Sequence, residues 1–306
     1  MISIKKILCP TDFSEHSREA LAHAVSVAKW YASEITLLHV SAPPASSEPL
    51  LYGPGMPSLE PEARERLLEK LARFAQPVEE AGVPVHVLLD EGPVVERILV
   101  CGEAMGADLI ILGTHGLSGF QRLVLGSVTE KVLRRSVSPV MTVPRAASSA
   151  VPGVILFKTI LCPVDFSPSS TGALELALSI AAEASSRLIV LHVVETLPPE
   201  DRRALVPYGM EEYVSILEAD AKKRIQDLIP AEMQEKLHPE VLVASGKPHR
   251  EIARIADERK VGVIVMGVRG RGSLDSMLFG STTSHVVRSV MCPVLTFRNE
   301  PEPRRR

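Results

Sequence analysis

The sequence predicts two tandem doubly wound α/β domains, each a five-stranded parallel sheet with about four helices. Three observations predict it. The chain is written twice: Lys5 to Val40 aligns without a gap on Lys158 to Val193, and 18 of those 36 positions are identical, including ILCP, DFS and LHV. Further on, Gly113 matches Gly267, Gly126 matches Gly280, and Ser138-Pro139-Val140 matches Cys292-Pro293-Val294. Within each copy, short apolar runs alternate with helical stripes, the pattern of a parallel sheet covered on both faces. The fourth apolar run of each copy then enters a glycine-rich loop that opens a helix. At 306 residues the length suits two domains of about 150 residues. The expected boundaries are 1–145 for the first domain, 146–156 for an Ala/Ser/Pro/Gly-rich linker, 157–299 for the second domain and 300–306 for a tail.

Each element has its own local reason. Lys6 to Cys9 is an apolar run that stops at Pro10, a first strand. Ser14 suits the N-cap of the next helix; in the second copy Ser167 is followed by Pro168, which fits the first helical position. The helix carries Leu21, Ala24, Val25 and Ala28 at i, i+3, i+4 and i+7, matched by Leu174, Ala177, Leu178 and Ala181. Ile35 to Val40 and Leu188 to Val193 are second strands. Long connections follow, Ser41 to Glu60 and Val194 to Glu211, with Tyr52-Gly53 and Tyr208-Gly209 inside them. Their length suggests a flap or a partner contact. A charged helix comes next (Pro61 to Ala81; Glu212 to Leu228), then a third strand (Val85 to Leu89; Val241 to Ala244) and a helix (Val94 to Met105; Arg250 to Arg259). The fourth strand runs into the glycine loop, and Ser127 to Arg135 with Val140 to Val143, or Val294 to Phe297, completes each copy.

Composition narrows the function. A net charge of −3 gives no basic surplus for nucleic acid, and the tail Arg304-Arg305-Arg306 is too short to supply one. No apolar run is long enough to cross a membrane and no signal-peptide pattern opens the chain, so the cytoplasm is the expected compartment. The cysteines Cys9, Cys101, Cys162 and Cys292 form no CxxC pair. Cys9 and Cys162, within ILCP, read as small core residues rather than redox or metal groups.

The residues at the strand C-termini converge on one crevice, where open parallel sheets take their ligands. The first copy offers Pro10-Thr11-Asp12, His39-Val40 and Leu112-Gly113; the second offers Pro163-Val164-Asp165, His192-Val193 and Met266-Gly267. Asp12 and Asp165 suit a ribose hydroxyl or a base amine; the competing role, capping the next helix, is open to Ser14 and Ser167 as well. The spacing Gly113-x2-Gly116-x9-Gly126-Ser127 recurs as Gly267, Gly270, Gly280 and Ser281. Glycine allows a close backbone approach to a ligand, and the helix N-terminus that follows suits a phosphate. Ser127 and Ser281 are expected both as helix N-caps and as phosphate donors. His39 and His192 read as satisfied buried histidines rather than general bases. Arg269 and Arg271 make the second loop the more electropositive, which favours a triphosphate, whereas the first loop has His115. Gly270-Arg271-Gly272 lacks the full dinucleotide fingerprint. No P-loop, no GxSxG elbow and no metal-ligand spacing occur. The motifs support binding rather than turnover.

Over nearly its whole length the chain resembles a tandem universal stress protein of the ATP-binding type. The family's G-x2-G-x9-G-[ST] pattern is matched in full by both copies, and its aspartate after strand one is matched by Asp12 and Asp165. The resemblance implies a Rossmann-like fold of the adenine nucleotide alpha hydrolase kind. It implies that the aspartate and Val40 or Val193 hold the adenosine. Gly113 and Gly116, or Gly267 and Gly270, would pack against ribose and phosphates. Gly126-Ser127-Val128, or Gly280-Ser281-Thr282, would hold the phosphates of ATP, ADP or AMP with Mg²⁺ or Mn²⁺. It further implies pairing of the two halves through their last strands, room for a homodimer, and roles in stress or growth arrest. Neither copy is degenerate, so two competent sites are expected. Three functions follow: a nucleotide-responsive regulator with little or no ATPase activity; a slow ATP-hydrolysing or nucleotidyl-transferring enzyme, for which Asp12 and Asp165 are the available groups; and an interaction module whose glycine loops only turn the chain.

Overall fold

In the first unit, Ser3–Val154, the central strand β1 (Lys6–Pro10) pairs in parallel with β2 (Glu34–Ser41) on one side and with β4 (Leu109–Gly113) on the other. β2 pairs onward with β3 (Val85–Glu91), and β4 with β5 (Val140–Val143), giving the order β3-β2-β1-β4-β5. The strand order reverses direction between β1 and β4, which opens a crevice above their carboxyl ends. This is a computed structural model of the chain, and it describes residues 3–42, 59–114, 125–144, 157–195, 210–268 and 280–298. The connections carrying Tyr52 and Tyr208, and the loop positions Gly116, His115, Arg269, Gly270 and Arg271, lie outside the described residues.

Why these strands are central follows from their side chains. Ile7, Leu8, Cys9, Ile35, Leu37, Leu38 and Ile111 are fully buried, consecutive residues included, as strands covered on both faces require. Burial pushes the Cys9 thiol up to about 12, and Cys162, fully buried at the matching place, is raised too; both thiols are free. On one face α1 (Glu15–Tyr31) packs over β4 and β5 and meets α2 (Pro61–Glu80), which lies over β3. On the other, α3 (Val94–Met105) covers β1 and β2 and packs against α4 (Ser127–Arg135). α2 carries Pro77 in its last turn, where the missing N–H leaves the residue 73 carbonyl without its usual helical donor.

The second unit, over residues 155–306, repeats the plan. Its strands are β6 (Thr159–Pro163), β7 (Arg187–Glu195), β8 (Glu240–Gly246), β9 (Val263–Gly267) and β10 (Val294–Phe297), parallel and ordered β8-β7-β6-β9-β10. The helices are α5 (Pro168–Ala184), α6 (Met210–Leu228), α7 (Ala231–Leu237), α8 (Pro248–Glu258) and α9 (Ser281–Ser289). The fold class is as the sequence predicts. Two details differ. α7 is an extra helix, a short segment with no buried residue, so no apolar stripe announces it. α8 starts at Pro248, ahead of the expected Arg250, because proline takes the first turn without losing a hydrogen bond. Among the described residues no helix is long and apolar enough to cross a membrane.

Candidate functional site

The first unit holds a cleft of about 310 Å³ over the β1/β4 switch point. It is lined by Pro10, Thr11, Asp12, His39, Val40, Leu112, Gly113, Gly126, Ser127 and Val128, all placed there by the sequence, and by five residues that the sequence does not single out, Ser17, Leu38, Val94, Ile98 and Thr129. Val94 and Ile98 lie one turn apart on α3, so the helix stripe that packs on the sheet also supplies one apolar wall. Leu38, Val40 and Leu112 supply more apolar surface; Asp12 and the start of α4 supply the polar part. In the second unit, Pro163, Val164, Asp165, Val193, Met266, Gly267, Gly280, Ser281 and Thr282 occupy the matching strand ends and helix start.

The turn after β1 fixes the aspartate. Asp12 Oδ1 accepts from the Ser14 N–H at 3.0 Å, and Asp165 Oδ1 accepts from the Ser167 N–H at 3.0 Å. Capping falls to the serines: Ser14 Oγ accepts from the Ser17 N–H and Ser167 Oγ from the Ser170 N–H, each at 3.2 Å. In both turns the serine hydroxyl caps the helix while the carboxylate closes the turn, and in the first half Asp12 also lines the cleft.

His39 and His192 anchor the turn from the second strand. Their Nδ1 atoms lie 2.8 Å from the Thr11 carbonyl and 2.7 Å from the Val164 carbonyl. A carbonyl only accepts, so Nδ1 carries the proton in each. Burial, outweighing that hydrogen bond, lowers the His39 pKa and keeps the ring neutral. This is a satisfied structural histidine, as its sequence position suggested.

At the other end, α4 starts differently from the sequence expectation. Gly126, not Ser127, is the N-cap, and Gly280 rather than Ser281 caps α9; no side chain caps either helix. The reason is in the backbone. Gly126 N–H donates to the Thr114 carbonyl at 2.8 Å while its own carbonyl accepts from Glu130 N–H at 2.9 Å, which makes it the residue half in the helix. Gly280 repeats the bond to the Val268 carbonyl at 3.1 Å. Thr129 Oγ1 ties α4 to the Gly113 carbonyl at 2.8 Å, and Thr283 does the same to Gly267 at 2.9 Å. The exposed Ser127 therefore sits in the first turn of a helix whose start lines the cleft.

Gly113 and Gly267 owe their identity to packing. A Cβ on Gly113 would lie 2.9 Å from the His16 carbonyl oxygen, and one on Gly267 would lie 2.7 Å from the Ser169 carbonyl carbon. The structure thus adds a packing reason to the close ligand approach that the sequence suggests: both glycines make room for the helix after the first strand of their unit, and Gly113 also lines the cleft. Among the described residues no group of three or more His, Cys, Asp or Glu is arranged to hold a metal.

Comparison with known proteins agrees with this architecture. The family model described as universal stress protein family matches residues 3–144 and again 156–298. A universal stress protein of Mycolicibacterium smegmatis is 28% identical over 312 residues, covering 95% of this chain and 96% of that one. One of Methanocaldococcus jannaschii is 34% identical over 160 residues, 48% of this chain and 99% of that one. The crystal structure of a universal stress protein from Archaeoglobus fulgidus superposes with a TM-score of 0.71 at 28% identity, covering 98% of this chain and 100% of that chain. The chain belongs to the universal stress protein family and carries two of its domains in tandem.

Proposed function

We propose that each half binds one adenine nucleotide and that the protein is a nucleotide-responsive regulator, in stress or growth arrest, with little or no ATP hydrolysis. The observation that carries this reading is the cleft of about 310 Å³ in which Asp12 stands across from the uncapped start of α4, with apolar walls between. That spacing of chemistry suits a flat base against Leu38, Val40 and Ile98, a ribose hydroxyl on Asp12, and phosphates on the first-turn N–H groups of α4. Mg²⁺ or Mn²⁺ fits as a passenger of the phosphates, since a hard cation keeps several waters and needs few protein ligands. Asp165, Gly280, Ser281 and Thr282 support the same reading for the second half. α4 has Glu130 in its first turn and α9 has no acidic residue there, so the second half favours the more highly charged phosphate chain. A cytoplasmic location and a homodimer belong to this reading.

Little supports turnover. Of the cleft's titratable groups, Asp12 is held in its turn and His39 is tied to Thr11 by Nδ1. Titration of the full chain with ATP–Mg²⁺ tests the reading. Asp12→Ala and Asp165→Ala should each remove about one of two sites, with affinity at that site falling roughly tenfold or more. Parent turnover abolished by the same variants would favour the enzyme reading. A parent that binds no nucleotide would favour the interaction module.

A further inference from the structure

The turn that carries the aspartate has a bulky residue in left-handed backbone in both halves. Phe13 has φ 65° and Phe166 has φ 64°, a region that side chains with a bulky Cβ substituent rarely occupy. The consequence is local. With residue 13 left-handed, the Ser14 N–H comes back onto Asp12 Oδ1 at 3.0 Å, and Ser167 meets Asp165 in the same way. Each phenyl ring is held from two sides. Phe13 lies against His39 with ring centroids 4.4 Å apart and the planes tilted by 39°, and the Lys70 ammonium of α2 lies 4.2 Å from its centroid. Phe166 meets His192 at 4.7 Å with the planes tilted by 42°, and the Arg224 guanidinium of α6 lies 3.8 Å from its centroid. Lys70 and Arg224 correspond in the repeat, so the cation changes type while keeping its place. The histidines complete the cycle through their bonds to the carbonyls of Thr11 and Val164, the residues just before the aspartates. Strain held by several independent contacts is characteristic of ligand sites.

We propose that Phe13 and Phe166 are positioning residues for the two nucleotide sites: each ring locks the left-handed backbone that fixes its neighbouring carboxylate for a ribose hydroxyl. This rests on the nucleotide reading above. Phe13→Val and Phe13→Gly separate conformation from packing. Both remove the ring, but the branched valine resists left-handed backbone whereas glycine takes it freely. In the full chain carrying Asp165→Ala, so that the first site alone is read, two quantities are measured. One is hydrogen exchange of the Ser14 amide by NMR; the other is the affinity ratio of ATP to 2′-deoxyATP with Mg²⁺.

The proposal expects the Gly variant to keep slow Ser14 exchange and a preference for ATP. The Val variant should exchange about tenfold faster and lose that preference, the factor a left-handed penalty of this kind implies. A ring that only packs predicts the reverse order, since glycine buries less than valine, and that order overturns the proposal. Should either variant unfold, Lys70→Met serves: loss of the cation speeds Ser14 exchange by roughly two- to fivefold, and no change overturns it. If Ser14 exchange follows the expected order while the parent does not distinguish ATP from 2′-deoxyATP, the positioning stands and the ribose reading fails.

Discussion

The Cβ that Gly113 lacks would lie 2.9 Å from the carbonyl oxygen of His16, in the first turn of α1. The contact is with backbone, which cannot swing aside as a side-chain tip can. Gly113→Ala, and Gly267→Ala against Ser169, should therefore destabilise their own half by about 1–3 kcal/mol. Urea unfolding checks this, with a lower midpoint and an unchanged slope. An unshifted midpoint would mean that the helix yields and that the glycine serves only the cleft.

Gly172 and Phe297 make a second size-matched pair. A Cβ at Gly172 on α5 would overlap the Phe297 ring at the end of β10. The first half places Glu19 and Val143 at these positions. Gly172→Ala alone is expected to cost less than Gly267→Ala, at most about 1 kcal/mol, because the partly exposed ring can turn away and alanine suits the helix better; adding Phe297→Val should recover that cost. Additive losses in the double mutant, measured by thermal unfolding, would show that the two sites do not share this space.

Stability should fall on mild acidification. His23 is 2% exposed on α1, and burial, outweighing its hydrogen bond to the Glu19 carbonyl, lowers its pKa. The unfolded chain then binds more protons than the fold near pH 6, so stability rises with pH. The contribution is intact above about 6.5 and is lost as pH falls through that value towards the depressed folded one. The second half has Leu176 at this position. His23→Leu should reduce the drop in urea midpoint between about pH 7.5 and 5.5. It should not abolish the drop, because His39 and His249 are lowered by burial in the same sense. An identical drop in parent and variant would contradict this.

Much of the fold was legible because its signals are local and written twice. Lys6 to Pro10, Ile35 to Val40 and the stripe Leu21, Ala24, Val25, Ala28 each announce an element without reference to the rest of the chain. α7 was not legible, since a seven-residue helix with no buried face leaves no periodic mark. The site was legible where it coincides with strand ends, at Asp12, Val40 and Gly113. It was not where tertiary packing delivers a residue: Val94 and Ile98 look like any buried stripe until α3 is laid beside β1. The packing reason for Gly113 is hidden for the same cause, because sequence shows a glycine but not the helix backbone 2.9 Å from its missing Cβ. The left-handed Phe13 gives no sign at all, since phenylalanine is among the residues least expected there.

The nucleotide content of the freshly purified, undialysed protein bears most directly on the central claim. The protein is denatured and the supernatant is resolved by ion exchange. We expect about two adenine nucleotides per chain, one for each half, and the ratio of ATP to ADP in that supernatant reads turnover. Absence of nucleotide in that supernatant, followed by no binding when the emptied protein is titrated with ATP–Mg²⁺, would contradict the account.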